Sequence, residues 1–420
     1  MEKLYRKVSQ AFFLRLGTVG FQFLYNILLA KQIGASGIGI YQFALTFSSF
    51  IVVVSLLGFP ETLVKIISVA YSEKDWGTIR TICKKTFSLS IIIAILLSVF
   101  LFLSSNFIVS VIFSKSLEVV TAVQWMSFYI LPLVLQQLFT GLFRAINKFE
   151  ISILINGLFT SILGILLISF SNLNTQKIIE VYSIILFVNI LLAFYFFYKL
   201  FQPIFISLPK IFDLKLIFET SRPLLTIGIV GVLMEAGDIL LLGKLMDNKS
   251  IGIYSISKKI ASLSNFILVV FITVTAQEFS ILYSRGEIKK LKHLVNKITK
   301  ILTIIAIPVL VSFIIYASWI LSWFGNDFQS GKNALIILSF GQFVNTVTGP
   351  VGYLLIMCGF SNLLRSNYLI VLLISLFLSI ILIPRYGIIG AALASAIGLS
   401  LQNIAAFFLV KKKIFNSKYE

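Results

Sequence analysis

Long apolar runs separated by short polar breaks fill this chain from end to end. A helix needs about 20 mostly apolar residues to cross the roughly 30 Å hydrocarbon core of a bilayer, since each residue rises about 1.5 Å. Runs of that length predict twelve spans, at residues 10–31, 39–60, 86–104, 119–141, 150–170, 179–199, 221–243, 251–277, 300–322, 333–357, 363–383 and 387–410. Gly, Pro or polar residues interrupt several of them, which is expected of spans facing protein or a polar cleft rather than lipid. Pro132, Pro308 and the Gly349-Pro350 pair fall inside spans. Proline removes an i→i−4 hydrogen bond and kinks a helix, so Gly349 and Pro350 in span 10 are the candidate hinge.

Composition points the same way: 58% of the residues are hydrophobic and 12% charged, against about 25% charged in a soluble domain. The formal charge of +19 would suggest nucleic acid on a soluble protein. Here its distribution gives another account. With the N-terminus placed inside, the inner segments carry 25 Lys and Arg and the outer connections seven, while Arg15, Lys258 and Lys259 fall within spans. Cytoplasmic loops accumulate Lys and Arg, so both termini are expected inside and no nucleic-acid partner is implied. The N-terminus is basic, and the apolar stretch after it runs on to Ala30 without a small-residue cleavage site, so the first segment is expected to stay as a helix. The Lys-rich stretch 285–300 reads as a solvated or headgroup-lying helix. Two distant cysteines, Cys83 and Cys358, and one histidine, His293, give no metal or disulfide pattern.

The two halves of the chain resemble each other. LLAKQIGASGIGIY (28–41) aligns without a gap with LLGKLMDNKSIGIY (241–254) at an offset of 213. AYSEKDW (70–76) matches LYSRGEI (282–288) at 212, and NILLAFYFFYKLF (189–201) matches NIAAFFLVKKKIF (403–415) at 214. Two six-helix bundles follow, residues 1–205 and 216–420 with the tail, joined by a cytoplasmic linker at 206–215. Six spans is an even number, so both bundles have one orientation and are related by an axis along the membrane normal. Two such bundles side by side create a central cavity, and rocking one against the other exposes it to each side in turn.

Charges at membrane depth need a reason, since each costs about 2.5–3.5 kcal/mol on insertion scales. Glu235 and Asp238 lie three apart on span 7, hence on one helical face, and Lys258 and Lys259 lie at similar depth on span 8. Two readings stand open. The groups form an ion pair locking the spans, or the lysines hold an anionic head group while the carboxylates carry a proton or another coupling cation. Arg15, in the inner third of span 1, either snorkels to the surface or faces the cleft with Gln22 and Asn26 on the same face, where its guanidinium suits phosphate. No G-x-x-x-x-G-K-[ST], HExxH, CxxC or GxSxG motif is present. No enzyme activity or cofactor is therefore expected, and transport energy would come from an ion gradient, the membrane potential or removal of the substrate on the far side.

Several stretches resemble the polysaccharide-unit flippases, including those for O-antigen, of the multidrug/oligosaccharidyl-lipid/polysaccharide exporter superfamily. They are GASGIGIY (34–41), LGFPETLVK (57–65), LFRAINKF (142–149), DILLLGKLMDNKSIGIYSISKKI (238–260) and PRYGIIGAALASAIG (384–398). The resemblance implies an all-α membrane protein of two pseudo-symmetric six-helix bundles. It implies translocation of a polyprenyl-pyrophosphate-linked oligosaccharide across a bacterial inner membrane for O-antigen or capsule synthesis. Arg15, Lys258 and Lys259 would be its cationic cavity residues, and Asp238 matches a recurrent acidic position. Membrane lipids, a proton or sodium ion and other polysaccharide-assembly proteins are the further candidate partners. The competing expectations are a cation-coupled multidrug exporter of the same superfamily, whose site should be net acidic, and a membrane polymerase or glycosyltransferase, which would need a larger outer loop than the short ones found here.

Overall fold

The structure, a computed structural model, describes residues 2–170, 173–210 and 214–416. Residues 211–213 of the expected linker and the tail beyond 416 lie outside the described residues. Among the described residues all regular structure is helical. All twelve segments expected to span are helical, with the differences given below. By length and apolarity nine helices qualify as spans among the described residues, or ten if a pair bent by 42° is counted as one. The first of the nine, Phe13–Ser72, is itself broken at Gly34 and Gly58, and at 60 residues it is too long for a single crossing.

Surface and interior are inverted relative to a soluble protein. Leu96, Leu103, Leu191, Leu373 and Phe377 are each more than 60% exposed, whereas Ser48, Ser90, Ser105 and Asn189 are fully buried. Apolar side chains facing outward along whole helices are stable only in lipid, and polar ones turned inward are satisfied helix to helix. The chain is a multi-pass membrane protein.

Helix α1 (Glu2–Leu56) passes through Gly34, whose backbone (φ 66, ψ −176) is not helical. The stretch 32–38, expected as a connection, is thus helical on both sides of one glycine. That conformation is essentially open to glycine alone, so a single residue does what a loop was expected to do. Leu57 and Gly58, both at positive φ, separate α1 from α2 (Phe59–Ser72). This helix buries Phe59, Leu63, Ile67 and Ala70 along one face and occupies what reads in sequence as an inner loop. Next come α3 (Trp76–Asn106), capped by Asp75, and α4 (Leu117–Ala145). The run 150–170, expected as one span, is α5 (Phe149–Ile153), a π turn (Leu154–Leu158) and α6 (Phe159–Ser169). Helices α7 (Thr175–Leu200), α8 (Gln202–Ile206) and α9 (Leu214–Leu245) follow.

The remaining helices are α10 (Asn248–Ser262), α11 (Phe266–Ser284), α12 (Ile288–Ser322), α13 (Lys332–Val347), α14 (Val351–Met357), α15 (Ser361–Tyr386) and α16 (Ile388–Val410). The Lys-rich stretch at 288–300 is not a separate surface helix. It forms the first turns of α12 and buries Leu291, Val295 and Ile298 against Leu354 and Ile414; the apolar stripe at helical spacing has a protein partner and needs no headgroup layer. Small residues allow close crossings, as expected for helices packed in lipid: a Cβ added to Gly341 would stand 2.8 Å from the Ala396 Cα.

Contacts group the chain into two compact units, Met1–Val232 and Leu233–Glu420, and the division falls within α9. Local geometry repeats between the halves at the sequence offset. Glu73, Lys74, Asp75 and Trp76 donate their amides to the carbonyls of Val69, Tyr71, Ala70 and Lys74, and Arg285, Gly286, Glu287 and Ile288 do the same to Ile281, Tyr283, Leu282 and Gly286. Every partner is displaced by 212. Gly34 and its equivalent Asp247 are both helix breaks with extended ψ (−176° and 167°).

Candidate functional site

Asp238 sits on α9 seven residues before its end, and the turn at Met246 and Asp247 leads into α10. Asp247 caps α10 by accepting the Ser250 amide at 3.0 Å. This tight connection runs α10 back alongside α9, so Tyr254 and Lys258, one turn apart on α10, both reach Asp238. Lys258 Nζ stands 2.6 Å from Asp238 Oδ2, with the two side chains 21% and 4% exposed. The same carboxylate oxygen accepts from Ser395 Oγ of α16 at 2.6 Å and from the Tyr254 hydroxyl. Lys258 also donates to the Glu235 carbonyl and lies 5.8 Å from the Tyr254 ring.

This is an ion pair between a buried, fully engaged carboxylate and a half-buried ammonium. Three donors share one oxygen, and the other oxygen faces the Ile239 amide at 2.8 Å. Such saturation is what makes a charge tolerable at membrane depth. Of the predicted residues in this unit, the structure brings together Asp238 and Lys258, with Glu235 entering through its backbone and its carboxylate exposed. Lys259, the next residue, is half-buried on an adjacent face. Tyr254 and Ser395 are absent from the sequence expectation. Tyr254 carries a signal all the same, one turn before Lys258 and inside the repeated IGIY stretch. Ser395 carries none, because a serine in an apolar helix looks like packing.

In the first unit Arg15, Gln22 and Asn26 lie along α1. Arg15 and Gln22 are exposed, and Asn26 is half-buried and donates to the Gln22 carbonyl at 2.6 Å. Gln22 also lies across Gly157 at the break between α5 and α6. At the predicted hinge, α13 and α14 meet at a 42° bend, with Gly349 at φ +77 and Pro350 opening α14.

The repeat offset relates the ion-pair site to a cluster in the first unit. At 213 residues' distance, Asp238, Tyr254 and Ser395 correspond to Tyr25, Tyr41 and Tyr182. Those three rings also meet, Tyr25 and Tyr182 stacked at 6.0 Å and Tyr41 edge-on to Tyr182 at 6.3 Å, with Tyr129 stacked on Tyr182 at 5.4 Å. One position in the duplicated unit is therefore filled by neutral aromatic packing in the first half and by a charged network in the second.

The fold and this network define a multi-pass membrane protein with an ion pair held among its helices. The structure is similar to an inward-facing multidrug resistance MATE family transporter of the MOP superfamily, at 15% identity, TM-score 0.76, and 96% and 98% coverage of this chain and of that one. It is equally similar to the lipid II flippase MurJ in an inward closed conformation, at 19% identity, TM-score 0.75, and 96% and 87% coverage. A MOP superfamily transporter from Pyrococcus furiosus, described by the reversed polarity of its binding pocket, matches at 14% identity, TM-score 0.73, and 98% and 96% coverage. These likenesses are of fold. No curated protein sequence matches the chain. The polysaccharide biosynthesis protein family model matches residues 4–276, and the chain belongs to that family.

Proposed function

We propose that this protein is a flippase that carries a polyprenyl-pyrophosphate-linked oligosaccharide from the inner to the outer leaflet of the bacterial inner membrane, for O-antigen or capsule synthesis. The observation that carries this reading is the Lys258–Asp238 pair at membrane depth in a member of a polysaccharide biosynthesis family. The energetic barrier for such a substrate is its doubly charged, sugar-bearing head, while its tail can stay in hydrocarbon. An ammonium already held in the membrane by a carboxylate can be handed to a pyrophosphate at little further desolvation cost. Asp238, left without its cation, then takes up a proton or a metal ion, and substrate binding is coupled to ion binding at one residue. Arg15, Gln22, Asn26 and Lys259 supply further head-group contacts in this reading. The halves 1–205 and 216–420 move against each other, with Gly349 and Pro350 absorbing the bend, and both termini face the cytoplasm. The protein works as a transporter and not as an enzyme. Membrane lipids and other polysaccharide-assembly proteins are its partners. A multidrug exporter has the fold likeness in its favour, but lysines at the site disfavour a cationic drug.

The test separates charge from folding. Removing Lys258 alone strands a buried carboxylate, which costs about 3–5 kcal/mol. The neutral pair Asp238→Asn with Lys258→Met is therefore compared with Lys258→Arg. Surface polysaccharide should vanish in the neutral pair while the protein is still found in the membrane at normal levels, and should largely persist in Lys258→Arg. Normal polysaccharide in the neutral pair overturns the reading.

A further inference from the structure

One edge of the second unit gathers exposed cations where two lipid-facing helices end. Along α12, Lys289, His293, Lys297 and Lys300 recur at helical spacing, so they share one face. All four are exposed. The same face continues as Ile304, Ile307, Val311 and Ile315, each at least 45% exposed and therefore turned to lipid. The opposite face, with Leu291, Val295, Ile298 and Leu302, is the one buried in protein. Helix α16 ends in the same way. Its exposed Ile397, Leu401, Ile404 and Phe408 lead at helical spacing to Lys411, Lys412 and Lys413, all exposed. The two ends are neighbours: Ile414 packs in the cluster that holds Leu291 and Ile298, and the Lys292 ammonium lies 6.0 Å from the Phe415 ring. Glu287 is the single carboxylate in residues 285–300, and it pairs with Lys290 at 2.6 Å.

In the first unit the equivalent edge is covered by protein. At the offset of 212, the exposed stripe recurs on α3 as Ile92, Ile95, Val99 and Leu103. The four cationic or imidazole positions become Gly77, Thr81, Lys85 and Ser88. Residues 207–210 lie across them: Thr81 donates to the Lys210 carbonyl at 2.7 Å, and a Cβ at Gly77 would stand 2.6 Å from the Leu208 carbonyl oxygen. At 214, Lys411, Lys412 and Lys413 become Phe197, Tyr198 and Lys199. The rule that cytoplasmic segments are positive asks only for an excess over the other side. It does not ask that lysines gather on one edge, in line with the lipid-facing stripes. We propose that this edge binds an anionic phospholipid of the inner leaflet, with its acyl chains along the exposed stripes of α12 and α16 and its phosphate among the lysines at their ends. Basic pockets between helices on the cytoplasmic side suit such head groups, and a flexible, hydrated lysine ammonium meets a phosphate at the water boundary without being buried. The phospholipid covers in the second unit what residues 207–210 cover in the first. The site is independent of the substrate reading above.

The experiment is native mass spectrometry of the purified full-length protein in detergent containing equal amounts of phosphatidylglycerol and phosphatidylcholine. Phosphatidylglycerol should be retained preferentially and in a saturable number of copies. Lys297→Gln, Lys300→Gln, Lys411→Gln and Lys412→Gln together should weaken its apparent affinity about tenfold and leave phosphatidylcholine unaffected. All four side chains are exposed, so the thermal midpoint in lipid-free detergent should stay at the wild-type value. Should the fourfold variant fail to fold, Lys297→Gln with Lys300→Gln serves instead, with a smaller loss of the same kind. Lys85→Gln with Lys199→Gln, which removes the two cations of the equivalent edge in the first unit, should leave phosphatidylglycerol binding unchanged. Inorganic phosphate at the same concentration should not displace the lipid, because the acyl chains contribute to its binding. Equal retention of the two lipids by the wild type overturns the proposal, as does an equal loss in the two sets of variants. Displacement by phosphate alone would make the edge a site for free phosphate and overturns it too.

Discussion

Asp75 shows how single side chains hold this chain together at its polar rim. It caps α3 by accepting the Thr78 amide at 3.2 Å and pairs with Lys210 at 2.8 Å. Thr81 donates to the Lys210 carbonyl at 2.7 Å and Arg80 to the Ser207 carbonyl at 2.6 Å, so the segment leading out of α8 is tied to the start of α3. The Lys210 ammonium and the Thr78 amide hold the Asp75 carboxyl below its usual range. A carboxyl whose pKa is lower folded than unfolded stabilises above its unfolded value, about 3.9, and that contribution is lost as pH falls through the folded value. Hydrogen exchange of residues 205–210 should therefore accelerate as pH drops below about 4, beyond the intrinsic change in exchange rate. Asp75→Asn should exchange fast already at neutral pH, with no further acid response. Acid release that persists in that variant would assign the tie to other groups. At the ion-pair site, Asp238 and Lys258 were legible in the sequence because a charge inside an apolar run is conspicuous. Tyr254 was marked only by its place one turn before Lys258 in the repeat, and Ser395 not at all, since a small neutral side chain is ordinary in a membrane helix and only the fold shows which face it occupies.

Helices were legible as apolar stretches, because the requirement to span hydrocarbon acts on twenty residues together. What interrupts them was not. The breaks at Gly34 and at Leu154–Leu158 each depend on one or two residues, too few to change a hydropathy pattern. The amphipathic α2 was hidden because its 14 residues are too few to read as a span. The Gly349-Pro350 break is the exception, since proline announces itself. Gly349 lies at φ +77, and a Cβ there would press on Thr299 Oγ1 of α12. Gly349→Ala combines backbone strain of about 1–3 kcal/mol with this clash, so it should lower the thermal midpoint of the purified protein. Adding Thr299→Ala removes the clash but leaves the φ penalty, so recovery should be partial. Full recovery would show that crowding, rather than left-handed backbone, sets the requirement for glycine.

For the whole molecule, the duplication carries a consequence for topology. Repeats of six spans keep the same orientation, whereas an odd number would invert them. The turns at Glu73 and Arg285 are matched by the repeat, share one hydrogen-bond pattern and are both exposed. From the Lys and Arg asymmetry both are expected inside. Lys177, at the start of α7, and Asp327, between α12 and α13, belong to connections on the opposite side by the same count. Cys83 and Cys358 are buried, so replacing both by alanine gives a background for single cysteines. A membrane-impermeant maleimide added to intact cells should label Lys177→Cys and Asp327→Cys at once, and Glu73→Cys and Arg285→Cys only after permeabilisation. Equal accessibility of Glu73→Cys and Asp327→Cys would mean that the second half is inverted relative to the first. The offset between halves would then record a duplication whose two copies face opposite ways, and the equivalence of the Asp238 network with the tyrosine cluster would no longer be one of depth in the membrane.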